Sequence, residues 1–480
     1  MRPHLVVAGR RRKPVAMMAA ETGADATPGH EGGDLERSIG LIQLAAIGIG
    51  ATVGTGIFFV LSSATPEAGP AVVLSFVLAA ITAGLTALCY AELASAVPVA
   101  GSSYSYAYAT LGEAAAMGVA ACLILEYLVS SAAVAVGWSE YLNALLESTV
   151  GVRIPDALSG APGAGGVVNL PAVVLVVLCT LLLVRGVRES ATANAIMVLI
   201  KLAVLLLFVA LAFTAFTADN FAQFAPLGVG GIGAAAGTVF FSFIGLDAVS
   251  TAGEEVRDPR RTLPRALVLA LVVVTVIYLL VAVSALGAQP WTGFEGQEAG
   301  LAAIMTAVTG AAWPAIVIAA GAVISIFSVT LVTMYAQTRI LFSMSRDGML
   351  PPLLSRVDPR TLTPVPTTVL VGVGVALLAG LVPLDVLADL VSIGTLVAFM
   401  VVSIGVIVLR RTAPDLPRGF RVPGYPVTPV LSIAACVYLV AGLSWITWIV
   451  FVAWVAVALV FWALYGARHS RLARTAEEPS

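Results

Sequence analysis

Apolar runs separated by short polar segments fill the chain from about residue 40 to residue 466. Twelve of these runs reach the roughly 17 or more residues that a helix needs to cross the apolar core of a bilayer. They lie near 41–63, 71–97, 114–145, 168–184, 192–216, 231–253, 264–287, 312–342, 366–382, 388–409, 428–446 and 447–466. The pattern therefore predicts an all-α polytopic membrane protein with twelve transmembrane helices. The turn between the last two spans is the least clearly marked.

The positions of the basic residues agree with that helix count. Of the 25 Lys and Arg, all except Arg153 and Lys201 fall in segments that share one side when both termini are cytoplasmic. Cytoplasmic loops of membrane proteins carry the excess of Lys and Arg. We therefore expect a multi-pass protein of the cell inner (plasma) membrane with both termini in the cytoplasm.

The composition excludes a soluble fold. Of the 480 residues, 59% are hydrophobic and 11% are charged, which is more apolar surface than a soluble domain can bury. Residues 1–37 are polar and lack the apolar core of a signal peptide, so they predict a disordered cytoplasmic tail. Met17 and Met18 are alternative starts within this tail. Residues 467–480 are predicted to form a second cytoplasmic tail.

Motifs of several other function classes are absent from the sequence. It holds no G-x-x-x-x-G-K phosphate loop and no G-x-S-x-G nucleophile elbow. The G-x-G-x-x-x-G stretch that begins at Gly48 follows no predicted strand, which excludes a dinucleotide-binding fold. The three histidines lie in the terminal tails and the four cysteines in apolar spans, so we expect free thiols and no metal site. We predict a protein that is not an enzyme, needs no cofactor, binds no nucleic acid and lies in the lipid bilayer.

Two spans are interrupted by glycines near their centres. The first contains "GIGATVGTGIFFV" (48–60) and the sixth contains "GTVFFSFIGLDAVSTAGEEV" (237–256). These spans occupy corresponding positions if the first ten helices form two five-helix halves that run oppositely through the membrane. Paired interruptions of this kind indicate a transporter binding site near the middle of the membrane. The alternative is that Gly50 and Gly54, which form G-x-x-x-G, mark close helix packing.

The predicted architecture is thus a 5+5 inverted repeat with discontinuous helices 1 and 6. Residues 38–217 form the first repeat, 218–410 the second, and 411–466 add helices 11 and 12. An unwound stretch frees backbone N–H groups that suit a carboxylate and C=O groups that suit an ammonium. An amino acid carries both groups on one carbon and is therefore the predicted substrate.

Three ionisable residues inside the spans are further candidates. A lysine at the centre of a membrane helix costs ~2.5–3.5 kcal/mol on insertion scales, so we expect Lys201 to have a role. We hypothesise that it carries the transported proton or its electrostatic equivalent; the alternative is a lysine that snorkels to the interface. Asp247 and Glu126 either face a cationic substrate or bond to neighbouring backbone and hydroxyl groups.

Side chains near the ends of the spans have weaker claims. Glu92, like Glu254 and Glu255, is interpreted as an interfacial partner of nearby arginines such as Arg257, with an inner-gate role as the alternative. Of the phenylalanines that flank the breaks, Phe241 and Phe243 are candidates for stacking over a substrate, the alternative being simple packing. The tyrosine-rich segment 101–113 predicts an ordered loop packed under the bundle.

Four stretches together identify a resemblance. They are "GIGATVGTGIF" (48–58), "YAELASAVPVAGSSYSYAYATLGE" (90–113), "FFSFIGLDAVSTAGEEVRDPRRTLPRAL" (240–267) and "YAQTRILFSMSRDGMLP" (335–351). The chain resembles the amino acid–polyamine–organocation superfamily, and within it the bacterial cationic amino acid transporter family. The resemblance runs from about residue 36 to residue 466, which is nearly everything outside the tails.

The resemblance implies roles for particular positions. It implies that the substrate carboxylate meets Gly54, Thr55 and Gly56. It implies that the substrate ammonium meets backbone carbonyls around Thr52 and in the sixth helix, at Phe241, Ser242 and Ile244. Lys201 matches a fifth-helix lysine that, in proton-coupled relatives, takes the place of a sodium ion and contacts the first helix.

The sequence as a whole predicts a proton-coupled secondary transporter that imports neutral or cationic amino acids by alternating access. In that mechanism a bundle of helices 1, 2, 6 and 7 rocks against the other helices. The alternatives are an uncoupled facilitator or exchanger of cationic amino acids or polyamines, and a membrane sensor that binds without transport.

Overall fold

The computed structural model describes residues 11–13, 39–54, 56–97, 102–186, 191–247, 249, 256–358, 361 and 363–473. Within these residues the regular structure is helical, apart from one isolated parallel bridge between Ile39 and Val256. The longer helices are α1 (Leu41–Thr52), α2 (Val60–Ala68), α3 (Val72–Ala96), α4 (Ser102–Thr110), α5 (Glu113–Val150), α6 (Asp156–Ser159), α7 (Leu170–Val184), α8 (Ala191–Ala212), α9 (Gly228–Phe240), α10 (Pro259–Ala288), α11 (Gly300–Thr309), α12 (Ala312–Arg346), α13 (Val365–Leu381), α14 (Leu384–Thr412), α15 (Val427–Ala441) and α16 (Trp445–Phe461).

Seven helical stretches in the described part are long and apolar enough to cross a membrane. They are Val60–Ala96, Glu113–Val150, Asn194–Ala215, Arg261–Ala288, Ala312–Arg346, Leu384–Thr412 and Trp445–His469. Shorter apolar helices occupy the predicted fourth, ninth and eleventh spans and the first parts of the two interrupted ones. The protein is therefore an all-helical, multi-pass membrane protein, and the total of twelve spans stays a prediction.

The first and sixth spans are interrupted where the glycines cluster. In the first span α1 ends at Thr52 and α2 begins only at Val60, so the helix is interrupted near the middle of the span. In the sixth span α9 ends at Phe240 and continues into a 3-10 turn, Phe241–Phe243, followed by irregular backbone through Asp247. We call residues 53–59 the first break and residues 241–247 the second break.

Helix contacts divide most of the spans into two groups. The helix α10 packs against α1 and α3, and α9 packs against α2 and α3. These contacts place spans 1, 2, 6 and 7 side by side. The long helix α5 packs along α12, α13 and α14, and α7 packs on α13. Contacts of α14 and α15 with α3 join the two groups, and the division into a moving bundle and a static remainder stays a prediction.

Three segments outside the spans differ from the predicted picture. The tyrosine-rich connection is the helix α4 rather than a loop, and it buries Tyr104, Tyr106 and Tyr108. The connection after α10 contains the helix α11, which the hydrophobic pattern did not predict. Within the tail predicted over 1–37, the structure describes Arg11–Lys13, where Lys13 is buried and pairs with Asp347 at 3.2 Å.

Candidate functional site

The two breaks pack directly and reciprocally against each other. A Cβ atom on Gly56 would lie 2.9 Å from Phe241 Cδ1 and 2.9 Å from Ser242 Cα, at the start of the second break. A Cβ atom on Gly245 would lie 2.8 Å from the carbonyl oxygen of Ala51, at the end of α1. The first break therefore touches the start of the second break, the second break touches the end of α1, and each contact tolerates only glycine. The 5+5 inverted repeat itself stays a prediction.

The first break bends through a conformation that favours glycine. Gly54 has φ +114°, where a side chain is strained, and its free face is turned toward α12. A Cβ atom there would lie 3.1 Å from Val329 Cγ2 and 3.6 Å from the Ser325 carbonyl oxygen. Val329 and Ser325, which the sequence reasoning missed, therefore form the wall opposite Gly54. Thr55, the middle residue of that triplet, lies outside the described residues.

Backbone carbonyls at the end of α1 accept hydrogen bonds from two side chains of other helices. The Lys201 ammonium of α8 donates to the Gly50 carbonyl over 2.9 Å. The Tyr278 hydroxyl of α10 donates to the Thr52 carbonyl over 2.9 Å. The Thr52 hydroxyl donates back to the Gly48 carbonyl over 2.8 Å. The carbonyl end of α1, which is the negative end of its dipole, thus already attracts one cation and one hydroxyl.

Lys201 is fully inside the protein. Its side chain is 1% exposed, so it does not extend to the membrane surface, and its ammonium meets the first span one turn before the break. A buried ammonium depends on its hydrogen-bond partners, because desolvation penalises the charged form. Any change in its charge is therefore felt directly by the backbone of α1.

The second break carries the carboxylate of Asp247, which is 3% exposed. The Tyr127 hydroxyl of α5 donates to Asp247 Oδ2 over 3.0 Å. Asp247 also lines a cavity of about 10 Å³ together with Tyr90 and Phe399, which is enough room for about one water molecule. Glu126, the neighbour of Tyr127 on α5, is equally buried. Two carboxylates thus lie close to the second break, whereas the cation lies at the first.

Aromatic rings of the two breaks pack against each other and against α10. The Phe59 and Phe241 rings have centroids 5.6 Å apart, and the Phe243 and Tyr278 rings meet edge-on at 5.4 Å. Phe241 and Phe243 are 0% exposed, and Ile244 next to them is 3% exposed. These rings are therefore well placed to cover a ligand held between the breaks.

Some of the buried polar atoms without partners lie beside the breaks, although others are spread over the described part of the protein. Among the described residues, the hydroxyls of Ser242 and Ser325 and one carboxylate oxygen of Glu126 are buried and have no hydrogen-bond partner. Buried polar groups are almost always satisfied, so such atoms point to a ligand or water. Ser242 adjoins Gly56, and Ser325 adjoins Gly54. The unsatisfied hydroxyls therefore flank the first break on both sides.

Of the acidic residues at the span ends, Glu92 forms an ion pair with arginines, as interpreted from the sequence, but with different ones. Glu92 contacts Arg410 and Arg418, which belong to α14 and to the loop after it, instead of Arg257. Glu254 and Glu255 lie outside the described residues. The Glu92 partners follow it by more than 300 positions, so no local pattern could have predicted them.

Tyr278 and Tyr127 are the other site residues that the sequence reasoning missed. Tyr278 is the one tyrosine of its apolar span, and Tyr127 shares its span with Tyr141. Because a buried tyrosine hydroxyl usually finds a partner, such rings are a usable signal for polar sites in the membrane.

Known proteins resemble this chain over almost its whole length. A family model described as "Amino acid permease" matches residues 39–471. The chain is 44% identical to the branched-chain amino acid permease BcaP of Bacillus subtilis (strain 168), over 91% of this chain and 95% of that protein. It is 41% identical to the methylthioribose transporter of the same organism, over 96% of this chain and 98% of that protein.

A plant protein is similar over a smaller part of its own length. The chain is 35% identical to the vacuolar cationic amino acid transporter 4 of Arabidopsis thaliana, over 79% of this chain and 64% of that protein. These matches confirm the resemblance that the four sequence motifs carried. The chain belongs to the amino acid permease family, within the amino acid–polyamine–organocation superfamily, and is a membrane transporter and not an enzyme.

Proposed function

We propose that the protein is a proton-coupled importer that binds an amino acid between the two breaks and moves it by alternating access. The observation that carries this proposal is the 2.9 Å hydrogen bond from Lys201 to the Gly50 carbonyl. It connects the one described cation buried within the spans to the backbone of the helix that forms the substrate site. Proton loss from Lys201 would remove both a charge and a donor from that backbone.

The site supports a zwitterionic substrate through its backbone. In our proposal the carboxylate binds at Gly54, Thr55 and Gly56, where the second half of the broken span begins. The ammonium binds the carbonyls of Phe241, Ser242 and Ile244 and the carbonyl of Thr52.

We propose neutral, apolar amino acids as the substrates, with branched side chains foremost. The walls nearest the two breaks are apolar: Val329 faces Gly54, and the Phe59 and Phe241 rings face each other beside Gly56. An apolar wall favours an apolar side chain because burial removes both from water. The name of the relative BcaP, a branched-chain amino acid permease, supports the same choice.

Cationic amino acids are the second candidate, and a specific observation favours them. Asp247 and Glu126 are two buried carboxylates near the second break. A lysine or arginine side chain directed toward them would gain charge-assisted hydrogen bonds. The named substrates of two other relatives, cationic amino acids and methylthioribose, belong in the same test.

Uptake by the purified protein in liposomes tests the proposal. Leucine, isoleucine, valine, lysine, arginine and methylthioribose are each offered under an inward pH gradient, an inward sodium gradient, or no gradient. We expect accumulation of leucine, isoleucine and valine that depends on the pH gradient alone. Accumulation driven by sodium would contradict the role of Lys201. Uptake that only equilibrates, without any gradient effect, would identify a facilitator or exchanger.

A further inference from the structure

The carboxylate of Glu92 is held by three groups at the end of α3. Arg410 Nε donates to Glu92 Oε1 over 2.7 Å, and Arg410 Nη2 donates to Glu92 Oε2 over 2.5 Å. The Val422 backbone N–H donates to Oε2 over 2.7 Å. Arg418 Nε lies 3.4 Å from Oε1. The Glu92 side chain is 1% exposed, so this is a buried, bidentate ion pair with an added backbone donor.

The two sides of this ion pair belong to different helix groups. Glu92 ends the second span, which packs with α10 in the group predicted to move. Arg410 lies on α14, and Arg418 and Val422 lie in the loop that follows α14. The ion pair therefore crosses the boundary between the groups, on the side where the basic residues concentrate. Nearby, Ser95 of α3 accepts a hydrogen bond from the Phe420 backbone N–H over 3.2 Å.

The arginine side of the contact keeps its own partners without Glu92. Arg418 donates to the carbonyls of Pro414 and Leu416 through Nη1, and to those of Leu409 and Ala413 through Nη2. These bonds cap the carbonyl end of α14, so they hold the guanidinium in place from its own loop.

Arg410 is supported in the same way. Its guanidinium carbon lies 4.2 Å above the Tyr425 ring, and Nη2 also donates to the Val422 carbonyl over 3.2 Å. The arginines thus form a preformed receptor, and only the carboxylate has to leave. A contact built in this way can separate without disturbing the arginines, which is what a reversible gate requires.

We propose that Glu92 and its arginine receptor form a lock that holds α3 against α14 and opens when the transporter opens toward that side. This inference deepens the proposed transport function and rests on it. Breaking a buried ion pair by removing one partner is strongly unfavourable for the joined state, so neutralising Glu92 shifts the protein toward the separated state.

A native thiol reports the separation of these helices. Cys89 lies one turn before Glu92 on α3, is 0% exposed, and has Ser403 of α14 beside it. Cys179 on α7 is also 0% exposed but lies in a different part of the fold, so it serves as an internal reference. Alkylation by N-ethylmaleimide, followed by mass spectrometry, measures the rate at each thiol in the same sample.

The experiment compares the wild-type protein with Glu92→Gln, with Arg410→Lys and with Glu298→Gln. Arg410→Lys keeps the charge but loses the bidentate geometry. Glu298→Gln is the matched control, because Glu298 pairs with Arg153 at 2.6 Å on the exposed surface. We expect Glu92→Gln to raise the Cys89 rate about tenfold or more, Arg410→Lys to raise it less, and the control to leave it unchanged.

The outcomes separate a lock from a structural contact. A selective rise at Cys89 supports the proposal, with the Cys179 rate and the thermal midpoint unchanged. An unchanged Cys89 rate in both variants would overturn it, as would equal rises at Cys89 and Cys179, which indicate general loosening. Because the thiol rates need no substrate, a failure of uptake in the liposome assay counts against the transport proposal and not against the lock.

Discussion

The two breaks have opposite chemistry although their backbones are interrupted alike. At the first break, carbonyl oxygens of α1 accept hydrogen bonds from the Lys201 ammonium and the Tyr278 hydroxyl. At the second break, the carboxylate of Asp247 accepts a hydrogen bond from Tyr127. Both breaks therefore depend on glycines, but the neighbouring charge is positive at the first break and negative at the second.

This difference suggests a division of roles within the proposed transport cycle. The backbone at both breaks would bind the carboxylate and ammonium groups that all amino acids share. The cation at the first break would couple that backbone to the proton, and the carboxylate at the second would influence which side chains are accepted. The following substitutions either disturb the glycine contacts between the breaks or change the polar groups at one of them.

The largest effect is expected where the breaks touch. Gly56→Ala and Gly245→Ala each place a Cβ atom within 3 Å of backbone atoms that cannot move aside, and Gly245 also has φ +100°. We expect initial uptake to fall about 100-fold, which corresponds to about 2.7 kcal/mol of lost stabilisation. Radiolabelled leucine uptake into liposomes measures this effect.

Gly118→Ala is the matched control for these variants, because a Cβ atom there meets nothing within 4 Å. Its uptake should equal that of the wild-type protein. Normal uptake by Gly245→Ala would contradict the account of two glycine-dependent breaks in contact.

The next effect separates charge from geometry at the second break. Asp247→Asn removes the charge but keeps an oxygen that can accept from Tyr127. If lysine and arginine enter at all, their competition against leucine uptake should weaken about tenfold, while leucine uptake itself changes little. Tyr127→Phe, which removes the donor and keeps the charge, should preserve the competition. Equal loss of leucine and lysine recognition would assign Asp247 a structural role instead.

The smallest effect is expected from a single hydrogen bond at the first break. Tyr278→Phe removes the donor to the Thr52 carbonyl and leaves the ring contact with Phe243. A hydrogen bond of this kind contributes about 0.5–1.5 kcal/mol, so the apparent affinity for leucine should change about two- to tenfold. Tyr438→Phe, on a ring that is 47% exposed, should have no effect. An unchanged affinity in Tyr278→Phe would show that this bond does not support the site.

Local patterns in the sequence were enough to find both breaks. Clustered glycines in an apolar span predict an interruption because they weaken a helix, and the structure interrupts both spans at these clusters. This prediction depends on what one segment can do by itself. The contact of Lys201 with the first span, in contrast, was implied by the family resemblance, and the structure contains it.

Other features depend on which distant segments meet, and the sequence pattern does not contain that information. Segment 101–113 is polar enough for a loop, but burial of its tyrosines under the bundle makes it the helix α4. The basic residues nearest to Glu92 in the sequence are Arg37 and Arg153, yet it pairs with Arg410 of the other helix group. Tertiary packing decides both outcomes.

The most direct test of the central claim is pH-gradient-driven accumulation of leucine by Lys201→Arg. Arginine keeps the positive charge beside Gly50 but does not release its proton at physiological pH. We expect the variant to exchange internal for external leucine but not to accumulate it, whereas Gly118→Ala accumulates it like the wild-type protein. Accumulation by Lys201→Arg at the wild-type level would contradict the claim that proton exchange at Lys201 drives transport.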